Sequence, residues 1–106
     1  MVLSEVIYRI TKSFPSDERF GLSQQLRRAA VSVPSNIAEG AHRNTNKEFN
    51  YFLGIASGSA AEVYTQVELA ARLGYVPSTE AANIKQEATE INLMINTFQQ
   101  RLKRAA

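Results

Sequence analysis

The chain has 106 residues, of which 44% are hydrophobic and 21% charged, and it contains neither Cys nor Trp. This length suits a single domain over residues 1–106, and the composition differs from that of a disordered chain. Without Cys, a disulfide framework, a Cys-based zinc site and a thiol nucleophile are excluded. No apolar run approaches the roughly 20 residues of a membrane span, and the N-terminus does not resemble a signal peptide. We therefore expect a cytoplasmic protein without a membrane partner.

The net charge of +2 conceals an uneven distribution along the chain. Residues 1–47 carry seven Lys or Arg against four Asp or Glu, and residues 48–90 carry two against six. Residues 91–106 add three basic residues and no acidic one. A chain with basic ends and an acidic middle can present a positive surface despite its small total charge.

Apolar residues recur at helical spacing in four segments, and no segment alternates with the period of two that a half-buried strand needs. The four apolar stripes run through residues 3–14, 22–37, 49–71 and 84–102. Because the connections between these segments are short, neighbouring helices should be antiparallel. The sequence therefore predicts an all-α, antiparallel, up-down four-helix bundle.

Particular residues mark where the helices begin and end. Pro15 ends the first helix, and Ser16 is expected to cap the second. Thr45 with Glu48 three residues later forms a capping box, which predicts the start of the third helix. Gly74 suits the left-handed turn that would end this helix.

The second helix contains Pro34, which lacks an amide hydrogen and crowds the preceding turn. We expect a kink or break at this point, with the helix resuming to about residue 42. Asn36 falls near the apolar stripe and Glu39 at its edge, at 100° per residue. We interpret both as structural polar residues that satisfy backbone groups freed by Pro34 or tie helices together.

The third helix has too few charged residues for a helix that one bundle covers on a single side. Between residues 49 and 71 the only charged residues are Glu62 and Glu68. The face opposite the core stripe carries small and apolar residues, namely Tyr51, Gly54, Ile55, Gly58, Ala61 and Leu69. We predict that this face is an interface between copies of the chain, so that the protein is a homo-oligomer. The alternative is that the small residues allow close packing inside one chain.

Basic residues form a candidate surface for phosphate groups. Arg27 and Arg28 project from the second helix away from its apolar stripe, and His42, Arg43 and Lys47 surround the turn into the third helix. Several guanidinium groups together bind phosphates and release counterions from nucleic acid. The alternative is a solvated surface with salt bridges, for example to Glu39 or Glu18.

Catalytic and metal-binding patterns are weak. The chain has one His, and Glu39-x-x-His42 occurs once, whereas di-iron bundles need this motif on two helices and further Glu residues on the others. No phosphate-binding loop of the GxxxxGK[ST] type is present. We predict no catalytic residue, no metal site and no cofactor.

Two long segments resemble a known bacterial four-helix bundle family. They read GLSQQLRRAAVSVPSNIAEG (Gly21–Gly40) and KEFNYFLGIASGSAAEVYTQVELAARLGY (Lys47–Tyr75), and the preceding KSFPSDERFGL (Lys12–Leu22) fits as well. Members of this family include proteins encoded by intervening sequences in large-subunit ribosomal RNA genes. The accessory variability determinant of diversity-generating retroelements is similar in fold and assembly.

This resemblance implies a compact antiparallel bundle that assembles as a ring-like homopentamer; the number five comes from the family alone. The accessory determinant is a partner of a reverse transcriptase and binds nucleic acid through a basic surface. Combining the resemblance with the residues, we predict a non-enzymatic homo-oligomer that binds RNA, DNA or a nucleic-acid-processing protein through its basic surface. The rival prediction is a structural oligomer for protein–protein interaction, in which Arg27 and Arg28 pair with carboxylates across subunits.

Overall fold

The computed structural model describes residues 2–105, and within them it contains four α-helices and no strand. The helices are α1 (Val2–Thr11), α2 (Leu22–Ala41), α3 (Asn46–Arg72) and α4 (Ser78–Ala105), and a 3₁₀ turn spans Ser16–Glu18. The prediction of an all-α fold is thus confirmed. None of these helices within residues 2–105 combines the length and the apolar character required to cross a bilayer.

Side-chain contacts between consecutive helices establish their antiparallel order. Along each pair of helices, residue numbers fall on one helix as they rise on the other. The hydrogen-bonded pairs are Ser32–Ser59 and Gln25–Gln66 between α2 and α3, and Asn92–Ser57 and Lys85–Glu68 between α3 and α4. The α1 helix is antiparallel to α2 in the same way, since Ser4 contacts Ala30 and Thr11 contacts Arg27.

Two helix ends match the sequence prediction. The Thr45 hydroxyl accepts a hydrogen bond from the Glu48 amide at 3.1 Å, so Thr45 caps the start of α3 as the sequence predicts. The Glu48 carboxylate binds the Thr45 hydroxyl at 3.1 Å. Gly74 has φ +81° and follows the C-terminus of α3. The Tyr75 amide donates to the Ala70 carbonyl at 2.9 Å, which is the Schellman arrangement that leaves few carbonyls of α3 unpaired.

The start of α2 differs from the prediction, because Ser16 lies in the 3₁₀ turn and α2 begins six residues later, at Leu22. Its first amide is bound by a side chain from that turn: the Leu22 amide donates to Glu18 Oε1 at 3.3 Å. Ser16 is therefore not the cap. The Glu18 carboxylate takes this place, where the partial positive charge of a helix N-terminus favours an anion.

The α2 helix continues through Pro34 without a break in its secondary structure. Proline at this position cannot bond to the carbonyl of Ala30, which is four residues earlier. The Ser4 hydroxyl of α1 donates to that carbonyl at 3.0 Å. The backbone group freed by Pro34 is thus satisfied by α1, and not by Asn36 or Glu39.

The core has a large part and a small part because α1 is much shorter than the other helices. Its ten residues cover about 15 Å, whereas the 27 residues of α3 extend for about 40 Å. Where all four helices meet, Ile7, Leu26, Val63 and Val67 are completely buried. Beyond α1 only three helices pack together, around Leu53, Ala56 and Ile95. An apolar groove of about 310 Å³ remains open at this end, with Met94 and Phe98 of α4 exposed along it.

The close approach of α2 to α3 near their connection depends on Gly40, which is buried. A Cβ atom at this position would lie 2.8 Å from Phe49 Cδ1, 2.8 Å from Phe52 Cβ and 3.3 Å from the Phe49 carbonyl oxygen. Two of these distances involve atoms on or next to the backbone of α3, so a side chain would push the helices apart.

We expect Gly40→Ala to lower the free energy of unfolding by about 1–3 kcal/mol, the usual cost of overpacking, even though Ala favours helix. Denaturant unfolding measures this change. Ser35→Ala is the matched control, because Ser35 is exposed on the same helix. If Gly40→Ala were as stable as the original chain, the close packing of α2 on α3 would be contradicted.

An ion-pair network joins α3 to α4. Glu68 accepts hydrogen bonds from Lys85 Nζ at 2.5 Å and from Arg72 Nε at 2.7 Å. The hydrogen bond from Lys85, followed by that from Arg72, lowers the pKa of Glu68 below its usual value of 4.5. The hydrogen bond to Glu68 also raises the pKa of Lys85 above 10.5.

Because the pKa of Glu68 is lower in the folded chain than in the unfolded chain, the network stabilises the fold above pH 4.5 and loses this effect as the pH falls further. We expect Glu68→Gln to give a shallower dependence of the free energy of unfolding on pH in this acid range. Glu5→Gln is the control, since Glu5 is exposed on α1 and has no ion pair within residues 2–105. An unchanged acid dependence in Glu68→Gln would contradict the role of this network.

Candidate nucleic-acid interface

Arg27 is held in place where α1 packs on α2. Its Nε donates to the Thr11 hydroxyl at 2.7 Å, and its guanidinium carbon lies 4.9 Å from the centre of the Tyr8 ring. The buried Thr11 hydroxyl donates its own proton to the Ile7 carbonyl at 2.7 Å, so toward Arg27 it is an acceptor. The hydrogen bond to Thr11 uses the Nε atom, and the terminal amino groups of Arg27 have no hydrogen-bond partner within residues 2–105.

The side chain of Arg27 borders a surface depression that we call the arginine groove. It has a volume of about 440 Å³ and lies between α1, the start of α2 and the segment that connects them. Its lining combines three arginines with aromatic, polar and apolar side chains, namely Arg19, Arg27, Arg28, Tyr8, Phe20, Gln24 and Val31. Phe20 is 80% exposed, and the Arg19 guanidinium lies 5.5 Å from the centre of its ring.

A second depression of about 300 Å³ adjoins the arginine groove and shares Arg19 and Arg27 with it. Lys12 and Ser16 are also part of its lining. Four basic residues, two from the segment that connects α1 to α2 and two from α2, therefore border two neighbouring depressions on one side of the bundle.

The arginines of the groove lack carboxylate partners. Within residues 2–105 the ion pairs are Arg9–Glu80, Arg43–Glu39, Arg72–Glu68 and Lys85–Glu68. None of them involves Arg19, Arg27 or Arg28. Glu62 of α3 borders a further depression beside Arg28, yet the two charged groups do not come within 4 Å. The groove therefore carries positive charge that no carboxylate of the described chain neutralises at contact distance.

Glu18 precedes Arg19 in the sequence, but its carboxylate binds groups other than the arginines of the groove. Its Oε2 accepts a hydrogen bond from the Tyr75 hydroxyl at 2.9 Å, and its Oε1 binds the Leu22 amide. The hydrogen bond to this carboxylate raises the pKa of Tyr75, because loss of the phenolic proton would bring two negative charges together. The salt bridge to Glu18 that the sequence left open for the basic residues is not formed.

The structure separates the remaining basic candidates from the groove. His42, Arg43 and Lys47 are exposed at the connection between α2 and α3. Arg28 and Arg43 are fifteen positions apart, which corresponds to about 22 Å along a helix. Arg43 also pairs with Glu39 and lies 4.8 Å from the centre of the Phe52 ring. Its charge is therefore already partly compensated.

The two polar residues near Pro34 have different surroundings. Asn36 Nδ2 donates to the carbonyl oxygen and to the hydroxyl of Ser32, both at 2.8 Å. The Ser59 hydroxyl of α3 contacts the same Ser32 hydroxyl at 2.8 Å, so Asn36 belongs to a polar link between α2 and α3. Glu39 is exposed and forms its ion pair with Arg43 within one helix turn.

The outer face of α3, formed by Tyr51, Gly54, Ile55, Gly58, Ala61 and Leu69, is exposed in the single chain. Tyr51 is 66% and Leu69 47% exposed, whereas Ile55 is 37% exposed. A Cβ atom at Gly58 would meet no atom within 4 Å, and one at Gly54 would meet only Gln99 of α4 at 3.8 Å. Packing inside the chain therefore does not require glycine at either position.

The sequence matches the model of the 23S rRNA-intervening sequence protein family over residues 1–97. The chain belongs to this family. A search of the curated proteins gave no match. Among solved structures, the chain is similar to a protein of unknown function from the S23 ribosomal protein family of Bacteroides thetaiotaomicron. The two are 26% identical, the match covers 92% of this chain and 89% of the other, and the TM-score is 0.81.

Membership in the intervening-sequence family confirms the resemblance that the sequence indicated, but the arginine groove contains residues that sequence reasoning missed. Tyr8, Arg19 and Phe20 of the groove, and Lys12 of the adjoining depression, received no functional role, because none of them belongs to a cluster along the chain. Phe20 could have been recognised in the sequence, because it is an aromatic residue next to Arg19 and just outside an apolar stripe.

Within residues 2–105, no three side chains of His, Cys, Asp or Glu lie close enough together to hold a metal ion. In the single Glu-x-x-His motif, Glu39 is engaged by Arg43 and His42 is exposed.

Proposed function

We propose that this member of the 23S rRNA-intervening sequence protein family is a non-enzymatic homo-oligomer that binds nucleic acid through its basic surface. The observation that carries the binding proposal is the set of arginines in the groove that have no carboxylate partner. The observation that carries self-association is the uncovered outer face of α3. The family likeness that the sequence suggested implies five copies arranged in a ring.

The outer face of α3 supports self-association because exposed apolar side chains gain stability when another surface removes them from water. Gly58 adds to this argument. Glycine inside a helix costs about 1 kcal/mol relative to Ala, and no contact within the chain offsets this cost at Gly58. A second apolar area on α4, with Leu93, Met94 and Phe98 exposed, provides a different surface for the partner copy. Two unlike surfaces produce head-to-tail contacts, which close into a ring when the rotation between copies allows it.

Charge on the outer face of α3 should disrupt the oligomer. We expect Ile55→Glu and Leu69→Glu each to lower the molar mass toward that of one chain, since burying an unpaired carboxylate is costly. Light scattering at micromolar concentration measures the mass. Circular dichroism should remain helical, because both side chains are exposed in the single chain.

Asn44→Glu is the control for added negative charge, since Asn44 is exposed in the connection between α2 and α3. This variant should retain the mass of the original chain. The proposal of self-association fails if the original chain is already a monomer at micromolar concentration, or if the α3 variants keep its mass.

Nucleic-acid binding is supported by the chemistry of the groove. A guanidinium group offers several donors in a planar fork that matches phosphate oxygens, and unpaired arginines release the counterions of nucleic acid when they bind. Arg27 is already positioned by Thr11 and Tyr8, so less side-chain freedom is lost when a phosphate binds. His42, Arg43 and Lys47 provide a further basic surface about 22 Å away, at the end of α2.

Replacement of Arg27 and Arg28 by Ala should weaken nucleic-acid binding and reduce its dependence on salt. Each lost phosphate contact lowers the slope of log K against log salt concentration by about 1. Fluorescence anisotropy with labelled RNA and DNA, measured over a salt series, gives this slope. Arg28→Ala alone is a second variant. It removes one positive charge without removing a side-chain hydrogen bond, because Arg28 is exposed and forms none within residues 2–105.

The matched control replaces Arg9 and Arg72 by Ala, which removes the same charge from arginines that are paired with Glu80 and Glu68. Its slope should change less than that of the groove variant. Absence of binding by the original chain at low salt would refute the nucleic-acid proposal. If the groove variant instead lost molar mass without any change in binding, the rival function, a protein–protein interaction oligomer, would be favoured.

A further inference from the structure

Phe20 stands apart from the other apolar residues of the chain. It is 80% exposed, which is the largest value among the exposed large hydrophobic residues. It lies in the segment that leads into α2, and the packed core does not include it. Its neighbours in the arginine groove are Arg19, Arg27 and Arg28, which have no ion pair within residues 2–105.

We propose that the arginine groove binds single-stranded nucleic acid, with an unpaired base stacked on the Phe20 ring and the adjacent phosphates bound by Arg19, Arg27 and Arg28. This inference rests on the proposed function and specifies the kind of nucleic acid. Surfaces that bind single strands combine aromatic rings, on which bases stack, with basic groups that follow the backbone. The groove combines both elements within one depression of about 440 Å³.

The exposed ring favours a single strand over a duplex. Inside a duplex, both faces of each base are covered by neighbouring base pairs, so a protein ring has access only to unpaired bases. The arginines favour nucleic acid over a purely apolar partner, because burying unpaired guanidinium groups against an apolar surface is costly. The apolar outer face of α3 therefore does not match this groove as a partner surface.

The α1 side of the groove and the adjoining depression both carry groups that can bind a nucleotide. Tyr8 is about half exposed, and Arg27 lies over its ring, which places a phenol hydroxyl and a fixed cation on the α1 side. The adjoining depression continues past Arg19 and Arg27 to Lys12, so positive charge extends beyond the arginine groove itself. This extension suits a strand better than a free nucleotide.

Binding of three probes to the original chain and to Phe20→Ala tests the inference. The probes are a uridine oligomer of about 15 nucleotides, a thymidine oligomer of the same length and a duplex of matched length. Loss of one stacked base corresponds to about a tenfold weaker affinity, so Phe20→Ala should weaken binding of the single strands by about this factor. Its salt slope should not change, because no charge is removed, and duplex binding should be unaffected. The uridine and thymidine arms distinguish RNA from DNA as the preferred strand.

Two further variants serve as controls. Tyr64→Ala removes a partly exposed aromatic ring of α3 that does not line the groove, so it should bind single strands as the original chain does. Phe20→Trp retains the aromatic surface and should restore the affinity. Because the chain contains no other Trp, the fluorescence of this variant reports on the groove alone, and a stacked base should quench it. An abasic strand of equal charge should leave the fluorescence unquenched.

The results separate this inference from the proposed function. If the original chain binds none of the probes at low salt, both fail. If it binds with a salt slope that depends on Arg28, but Phe20→Ala binds single strands as tightly as the original chain does, only the stacking inference is overturned. A lower molar mass of Phe20→Ala in light scattering would identify Phe20 as a contact between copies and would also overturn it.

Discussion

The α3 helix is the element on which the other parts of the structure depend. It packs against α2 on one side and α4 on another, and its stripe of Val63, Val67 and small residues is completely buried. Gly40 lets α2 approach it closely, and the Glu68 network holds α4 against it. Since only two charged residues occur between residues 49 and 71, the outer face of α3 has few groups that bind water strongly. Because α2 and α4 cover the other sides of α3, this face is the one that another protein surface can contact.

The arginine groove lies in a different part of the bundle, where α1 and the connecting segment meet α2. The hydrogen bond from Arg27 to Thr11 and the contact of its guanidinium with Tyr8 stabilise this junction and hold a cation at the surface. The surface proposed for self-association and the groove proposed for binding thus lie on different helices. In an oligomer, each copy adds one such groove, and the summed positive field increases with the number of copies.

Local sequence patterns predicted the helices well because the evidence for them is contained within a few consecutive residues. Helical periodicity, the Thr45 cap and the glycine at position 74 each depend on near neighbours, and the structure confirms all of them. The cap of α2 was predicted wrongly, because Glu18 and not Ser16 binds its first amide. That choice depends on the 3₁₀ turn, which no simple periodicity indicates. The kink at Pro34 and the ring assembly remain predictions.

The candidate site was harder to predict, because it depends on how two helices align. Arg27 and Arg28 were identifiable as a basic pair, whereas the contacts of Thr11 and Phe20 arise only when α1 lies antiparallel to α2.

We expect the outer face of α3 to make this chain associate with copies of itself. Sedimentation equilibrium of the unmodified chain at micromolar concentration measures the mass of the species that forms. A species several times heavier than the 11.8 kDa chain is expected. A single species of 11.8 kDa across that concentration range would show that the chain does not associate through this face.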